Sequence, residues 1–359
     1  MHMRIYKIAV INLGSTSTKI AYYENENCVF KDNIVHTARA LEGFSTIWEQ
    51  FEFRKQAIEA YLKEKGILIS GLDAVVTRGG HTEPIVGGVY RITRKMLEQS
   101  ASEKYGNHAT DLGLKLAYEF SAQGPQAFTV DPPTTDEFEA LARYSGLPQI
   151  KRRSSFHVLN HRAAGRQYAK DSGKDYRDLN LVVIHMGGGI SIAAHKKGRL
   201  VDANNAIDGD GPFSTNRCCS VPIGDLIKMC YSGTYTYPEI RRLINGNAGL
   251  MAYVGENDVK TVEERAAAGD QACGEALDAM CYQIAKEVGA AATVLMGEVD
   301  AIVFTGGIAH SKRIVDSVSR RVSFIAPIAV YPGEYEMQSL GLNTLAALRG
   351  EEEIKELNE

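Results

Sequence analysis

The chain has 359 residues, 44% of them hydrophobic, with 40 basic against 44 acidic side chains and a formal net charge of −4. That apolar content is enough for two or three packed domains, and the charge balance leaves no basic stripe for a nucleic acid. Cysteines 28, 218, 219, 230, 273 and 281 fit no CxxC pair or zinc pattern, and the apolar stretch around residues 289–297 is too short to span a bilayer. The expectation is a cytoplasmic protein with reduced thiols and no nucleic-acid or membrane partner.

The chain opens with a start segment and a β-rich run, Ile5–Leu13, broken by Gly14. Two further strands are predicted at Ile20–Tyr23 and Cys28–His36 around the polar turn "ENEN". Apolar spacing predicts a helix over Ile47–Glu64. "GLDAVVTRGG" reads as a strand entering a glycine turn, Thr110–Ser121 as a helix, and "QAFTVDPP" as a strand stopped by two prolines. "TTDEFEALARYSG" reads as a short helix with Thr135 as its N-cap.

A second series begins near Phe156. His157–Gly173 is helix-like, and residues 179–206 form a strand, a glycine turn, a strand, a Lys-Gly turn and a third strand. The same rhythm runs through residues 6–33, which reads as an internal duplication. A helix over Asp270–Met296, bent near Gly289, is followed by a strand, a Gly-Gly turn and a helix in "VDAIVFTGGIAHSKRIVDSVSRRV". "FIAPIAVYPG" is a late strand, and residues 334–359 close the chain as a helix with a charged end. The class is α/β with antiparallel hairpins beside crossovers, not the pure βαβ alternation of a dinucleotide fold.

Three glycine turns follow apolar strands. In "NLGSTSTK", Asn12 to Lys19, glycine exposes amides and hydroxyls at a strand end, which suits phosphate oxygens or an ordinary hairpin. The turn lacks the Walker pattern and no helix follows it. The second turn is "HMGGGISIAAH", with Gly187, Gly188 and Gly189; the third is "FTGGIAHS", with Gly306 and Gly307. Three such turns fit a cleft better than three unrelated loops.

If such a cleft transfers a phosphoryl group, the chemistry needs charge neutralisation and alignment more than a nucleophilic side chain, and an acceptor that is already ionised, such as a carboxylate, needs no general base. Arg78 in "TRGGHTEP" and Arg217 in "GPFSTNRCC" stand in turn-like contexts, where an ordinary surface arginine is the alternative. Asp131 ends a strand before two prolines; it suits orienting an arginine or a metal, or capping a turn. His157 and His161 share a helical face at i and i+4, but two histidines do not make a structural zinc site.

The segments "NLGSTSTK", "VVTRGGHTEPIVGGVY", "VDPPTTDEF", "RRSSFHVLNHRAAGRQYA", "HMGGGISIAAHKKGRLVDANNAIDGDGPFSTNR", "FTGGIAHS" and "YPGEYEMQSLGLNTLAAL" resemble, in order and over nearly the full length, the acetokinase (acetate/butyrate kinase) family of the sugar kinase–Hsp70–actin superfamily. The resemblance implies duplicated actin-like ATPase (ribonuclease H-like) domains, each a mixed β-sheet with flanking helices, around a central cleft. The domains would be 1–155 plus 336–359, and 156–335, the second carrying most of the nucleotide site.

The implied reaction is reversible, Mg-dependent phosphoryl transfer between ATP and a short-chain carboxylate, giving ADP and an acyl phosphate, with no tightly bound organic cofactor. A homo-oligomer, dimer or higher, is implied as well. By resemblance, Asn12, Ser15, Ser17, Lys19 and His185 serve substrate or phosphate. Arg78 holds the carboxylate, Asp131 orients, and His157 and Arg217 meet the transferring phosphoryl group. Gly187–Gly189, Gly306 and Gly307 take the nucleotide, and Glu336 the Mg2+, with Glu334 close in register.

Three departures stand out. "YGNHATDLG" replaces the acetate kinases' His-Asn-Pro-Pro, leaving His108 as an offset counterpart. Gly187–Gly188–Gly189 replaces Gly-Asn-Gly, and Leu13 stands in the first turn. The first two point away from acetate and toward the butyrate type. Branched-chain or other short-chain acid kinases, a non-catalytic actin-like nucleotide-binding protein and a sugar kinase are the rival readings.

Overall fold

A computed structural model describes residues 4–357. Met1–Met3 of the expected start, and Asn358 and Glu359 of the expected closing helix, lie outside the described residues. The chain divides into two compact units, 1–136 with 335–359, and 137–334.

The first unit holds a seven-stranded sheet. Its strands are β1 (Lys7–Leu13), β2 (Ser17–Glu24), β3 (Asn27–Val35), β4 (Ala74–Thr77), β5 (Val89–Arg91), β6 (Gln126–Val130) and β12 (Ile354–Glu356), in the order β12-β5-β6-β4-β1-β2-β3. β1–β2–β3 is an antiparallel meander, and β4 runs parallel to β1. Alternation along β1 separates two faces. Ala9, Ile11 and Leu13 join a core with Ile58, Leu112 and Phe120, from helices Phe51–Glu64 and Asp111–Ser121. Asn12 therefore points to the other face. There helix Glu336–Leu348 packs through Met337, Leu340, Thr344 and Leu345, at helical spacing.

The second unit repeats the plan. β7 (Asn180–Met186), β8 (Ile190–Lys196), β9 (Arg199–Ala203), β10 (Ala301–Gly306) and β11 (Ile328–Pro332) pair in the order β11-β10-β7-β8-β9. β7–β8–β9 is again an antiparallel meander, and β10 runs parallel to β7 as β4 does to β1. Each meander carries one register shift, at Tyr22/Tyr23 and at Ala194/His195. The shared topology supports the duplication read from the sequence rhythm. Val182, Ile184 and Met186 face the long helix Gln271–Val294, and Leu181 and Val183 face the helix Val158–Ser172.

Three expected elements differ. Residues 134–146 are not a helix; only Leu141–Arg143 forms a short 3-10 turn. The backbone groups of that segment go elsewhere: Asp136 N donates to Ile85 O and Glu139 N to Val201 O. The long helix runs unbroken through Gly289, where an added Cβ meets nothing within 4 Å. The closing helix stops at Leu348, and the charged end then forms β12, parallel to β5. Lys355 there donates to Gly87 O at 2.8 Å.

Candidate active site

In the first unit Asn12, Arg78 and Glu336 meet at the C-terminal end of β1, whereas Asp131 lies apart at the end of β6. Asn12 is buried, and its side-chain amide donates to Glu336 Oε2 at 3.0 Å. Arg78, just past β4, brings Nη1 to 3.6 Å from Glu336 Oε1. Both reach this carboxylate because parallel β1 and β4 end side by side and the C-terminal helix begins with Glu336 over them. Lys19 pairs with Asn12 across the β1–β2 ladder, so it shares Asn12's face.

The first glycine turn is held from behind. Gly14 N donates to Ser17 O at 2.8 Å. Arg54, 1% exposed, donates to Gly14 O at 2.8 Å and to Ser15 O at 2.7 Å. Ser15 Oγ lies 3.3 Å from His108 Nε2. Thr110 N donates to His108 Nδ1, so the ring proton sits on Nε2 and points to Ser15. Burial, then the charge of Arg78, pushes His108 below the usual imidazole range, keeping it neutral.

Behind this turn, burial alone would raise Asp111. Hydrogen bonds from His81 and from the His108 backbone outweigh it and hold the carboxyl below its ordinary value. Gly80 is needed there: a Cβ would lie 2.5 Å from Asp111 Oδ1. Asp131 is buried at the end of β6 with φ +43°, and its Oδ1 accepts from Gly88 N at 2.8 Å.

In the second unit His185, buried at the end of β7, accepts at Nδ1 from the Asn160 amide at 2.8 Å. Its proton is therefore on Nε2, on the side of Gly187, where a Cβ would stand 3.2 Å away. His157 stacks on His185 with ring centroids 3.9 Å apart and planes 18° apart. His157 Nδ1 lies 3.0 Å from Ser191 Oγ.

Arg217 is packed under the second turn. Its Nη1 donates to Ala206 O, its backbone N donates to Ser214 Oγ, and Ser214 Oγ donates to Gly188 O at 2.6 Å. Burial lowers the guanidinium's proton affinity from its ordinary value, and so strong a base keeps its charge. Nε of Arg217 is buried with no hydrogen-bond partner among the described residues.

Gly187 and Gly188 of the second turn and Gly307 of the third line one cavity of about 530 Å³. Its other wall is the segment Asn257–Lys260 with Glu263, at the start of helix Val259–Ala267. Gly306 has φ +89°, and a Cβ there would lie 2.3 Å from Met186 O. The third turn does not pass straight into a helix, as expected from the sequence. A 3-10 turn, Gly307–His310, intervenes before helix Lys312–Val322, which Ser311 caps.

Sequence reasoning missed Arg54, Ser191 and the 257–263 wall. Arg54 had a signal: Phe51, Arg54, Ile58 and Leu62 are the buried positions of their helix, so a charge sits in its apolar stripe. The Asp258 N-cap, accepting from Thr261 N, was also legible. Among the described residues no group of three or more His, Cys, Asp or Glu is arranged to hold a metal ion. The donor set at Glu336 still suits Mg2+. That ion takes one or two carboxylates plus substrate phosphates and water, not a protein cage, and the Asn12 amide nitrogen donates to the Glu336 carboxylate and so helps fix its position.

The acetokinase family model matches residues 140–337. Butyrate kinase 2 of Clostridium acetobutylicum is 48% identical over 351 residues, 98% of this chain and 99% of that protein. A probable butyrate kinase of Bacteroides thetaiotaomicron is 48% identical over 347 residues, 96% and 98% of the two chains. The crystal structure of Porphyromonas gingivalis acetate kinase superposes with a TM-score of 0.79 at 21% identity, over 96% of this chain and 100% of that one. A propionate kinase from Francisella tularensis gives 0.73 at 19%, over 94% and 98%. These two structures show the shared fold, the duplicated actin-like α/β architecture. The chain belongs to the acetokinase family.

Proposed function

We propose that the chain catalyses reversible transfer of the γ-phosphoryl group of ATP to butanoate, giving butanoyl phosphate and ADP by direct in-line attack. Family membership makes it a phosphotransferase with a carboxyl group as acceptor. The observation that carries the butanoate assignment is 48% identity, over nearly the whole chain, to a butyrate kinase.

In this reading Arg78 holds the carboxylate of the acid, and Asp131 is an orienting carboxylate. Ser15, Ser17 and Lys19 serve phosphate oxygens. Glu336, with Asn12 bonded to it, would hold Mg2+, whose chemistry is charge neutralisation on the nucleotide phosphates. The cavity walled by the second and third glycine turns takes the nucleotide, with the Nε2–H of His185 beside Gly187 as a phosphate donor. Arg217 and His157 balance charge on the equatorial oxygens as the bond to the leaving oxygen breaks. The attacking carboxylate oxygen carries no proton, so no side chain need accept one.

The same reading makes the protein a homo-oligomer of at least two copies in the cytoplasm. There ATP is at hand and six free thiols stay reduced. No helix among the described residues is long and apolar enough to cross a membrane.

The test is a panel of acetate, propionate, butyrate, isobutyrate and valerate with ATP and Mg2+, the acyl phosphate being trapped by hydroxylamine. The expected result is the highest kcat/KM on butyrate. Neighbouring acids should fall only modestly, since one methylene is worth about 1–3 kcal/mol. A maximum on isobutyrate would reassign the substrate, and no turnover on any acid would overturn the reading.

A further inference from the structure

Beneath His157 lies a buried polar chain that the proposed reaction does not itself use. Ser191 Oγ, 0% exposed on β8, lies 3.0 Å from His157 Nδ1 and 2.8 Å from Nε2 of His161, also 0% exposed. A serine hydroxyl has one proton to donate. Its oxygen could accept from both rings, but among the described residues its proton has no acceptor other than these two rings, so the hydroxyl donates to one ring and the other ring donates to it.

The unused nitrogen of His161 decides which. Its Nδ1 is buried and has no hydrogen-bond partner among the described residues. An N–H there would be a donor stranded away from water, whereas a bare lone pair is the lesser cost. The His161 ring is also kept neutral, by burial first and then by its neighbours His195, His185 and His157. Its single proton therefore sits on Nε2 and is donated to Ser191 Oγ. Ser191 then donates its own proton to His157 Nδ1.

We infer that Ser191 and His161 are positioning residues for phosphoryl transfer: their fixed donor chain makes His157 an acceptor at Nδ1 and so a proton-bearing donor at Nε2. The inference rests on the role proposed for His157. It adds a direction to that role, since a ring with Nδ1–H and a bare Nε2 would turn a lone pair toward the phosphoryl oxygens. The neighbouring ring is set the same way by a different device, the Asn160 amide on His185 Nδ1, while Asn160 also donates to Thr305 Oγ1 at 3.2 Å. The stacked pair 3.9 Å apart thus carries its protons on matching Nε2 atoms.

The tautomer is measurable without substrate, in the full chain with 15N-labelled imidazole rings. Long-range proton–nitrogen correlation spectra identify which nitrogen is protonated, and the His157→Gln variant assigns the signal. Wild-type His157 should show a protonated Nε2 and a bare Nδ1 at neutral pH. The opposite tautomer overturns the inference while leaving the acid panel, and with it the reaction, untouched.

Ser191→Ala should mix the two tautomers and lower kcat by about tenfold or more, with the KM for the acid within about twofold. His161→Leu should do the same. His161→Gln, whose amide can replace the Nε2–H donor, should recover most of the rate. Wild-type kcat in folded Ser191→Ala would also overturn the inference. If the variants do not fold, the wild-type spectrum alone decides it.

Discussion

Nη1 of Arg217 passes through the space beside Gly189: a Cβ on that glycine would lie 2.2 Å from it, and 3.0 Å from Ala206 O. The third glycine of the run thus makes room for the guanidinium that donates to Ala206. If Arg217 stabilises the transferring phosphoryl group, Arg217→Ala should lower kcat by about 10²–10³ with the KM values little changed. Gly189→Ala should lower kcat as well, because the displaced atom is the far end of a flexible side chain. The double variant should be no slower than Arg217→Ala alone, since both changes remove one interaction. Additive losses in steady-state kinetics would separate the two residues.

Asn12 and Arg78 both approach the Glu336 carboxylate. Glu336→Gln keeps the shape and removes the charge. The Mg2+ concentration giving half-maximal rate should rise by about tenfold or more. Asn12→Ala should raise it less, because it removes only the 3.0 Å bond that orients the carboxylate. An unchanged Mg2+ titration in Glu336→Gln would move the metal site elsewhere.

Much of this is legible in the sequence alone, and particular residues show why. The hairpins β1–β2–β3 and β7–β8–β9 announce themselves by alternation and by polar turns, which are local signals. The stop at Leu13 and the glycines at 187–189 were visible for the same reason. The segment 134–146 misled because a helical pattern competes poorly with long-range backbone partners such as Ile85 and Val201. β12 was hidden because its partner β5 lies about 265 residues away in sequence and neither strand is longer than three residues. Ser191 could not be singled out, because a serine in an alternating strand has no local mark. Its two histidine partners come from a different element.

Gly306 and Gly307 are adjacent, and the structure separates their roles. At Gly306 the backbone has φ +89°, and a Cβ would strike Met186 O at 2.3 Å, a main-chain atom of β7. Gly306→Ala should therefore destabilise the fold by about 2 kcal/mol or more. A Cβ on Gly307 meets nothing within 4 Å, yet Gly307 lines the cavity. Gly307→Ala should keep stability within about 0.5 kcal/mol and raise the KM for ATP. Denaturant titrations and ATP kinetics on the two variants check this, and equal destabilisation would contradict the geometry.

The buried histidines set an acid limit on the second unit. His195 is 0% exposed, with Nδ1 at 2.9 Å from the Tyr176 hydroxyl. Burial, and then the charge of Arg162, pushes it down to about 3 from 6.5. His161 is driven down in the same direction. A histidine whose folded value lies below its unfolded value binds its proton more tightly when unfolded. Stability is therefore complete above the unfolded value near 6.5 and falls as pH drops from there toward 3. At pH 5 the loss from one such ring is on the order of 2 kcal/mol. Urea midpoints should accordingly fall between pH 7 and pH 5. The fall should be smaller in His195→Gln, which removes one titrating ring and keeps a polar partner for Tyr176. A pH-independent midpoint in the wild type would show that these rings are not buried neutral in solution.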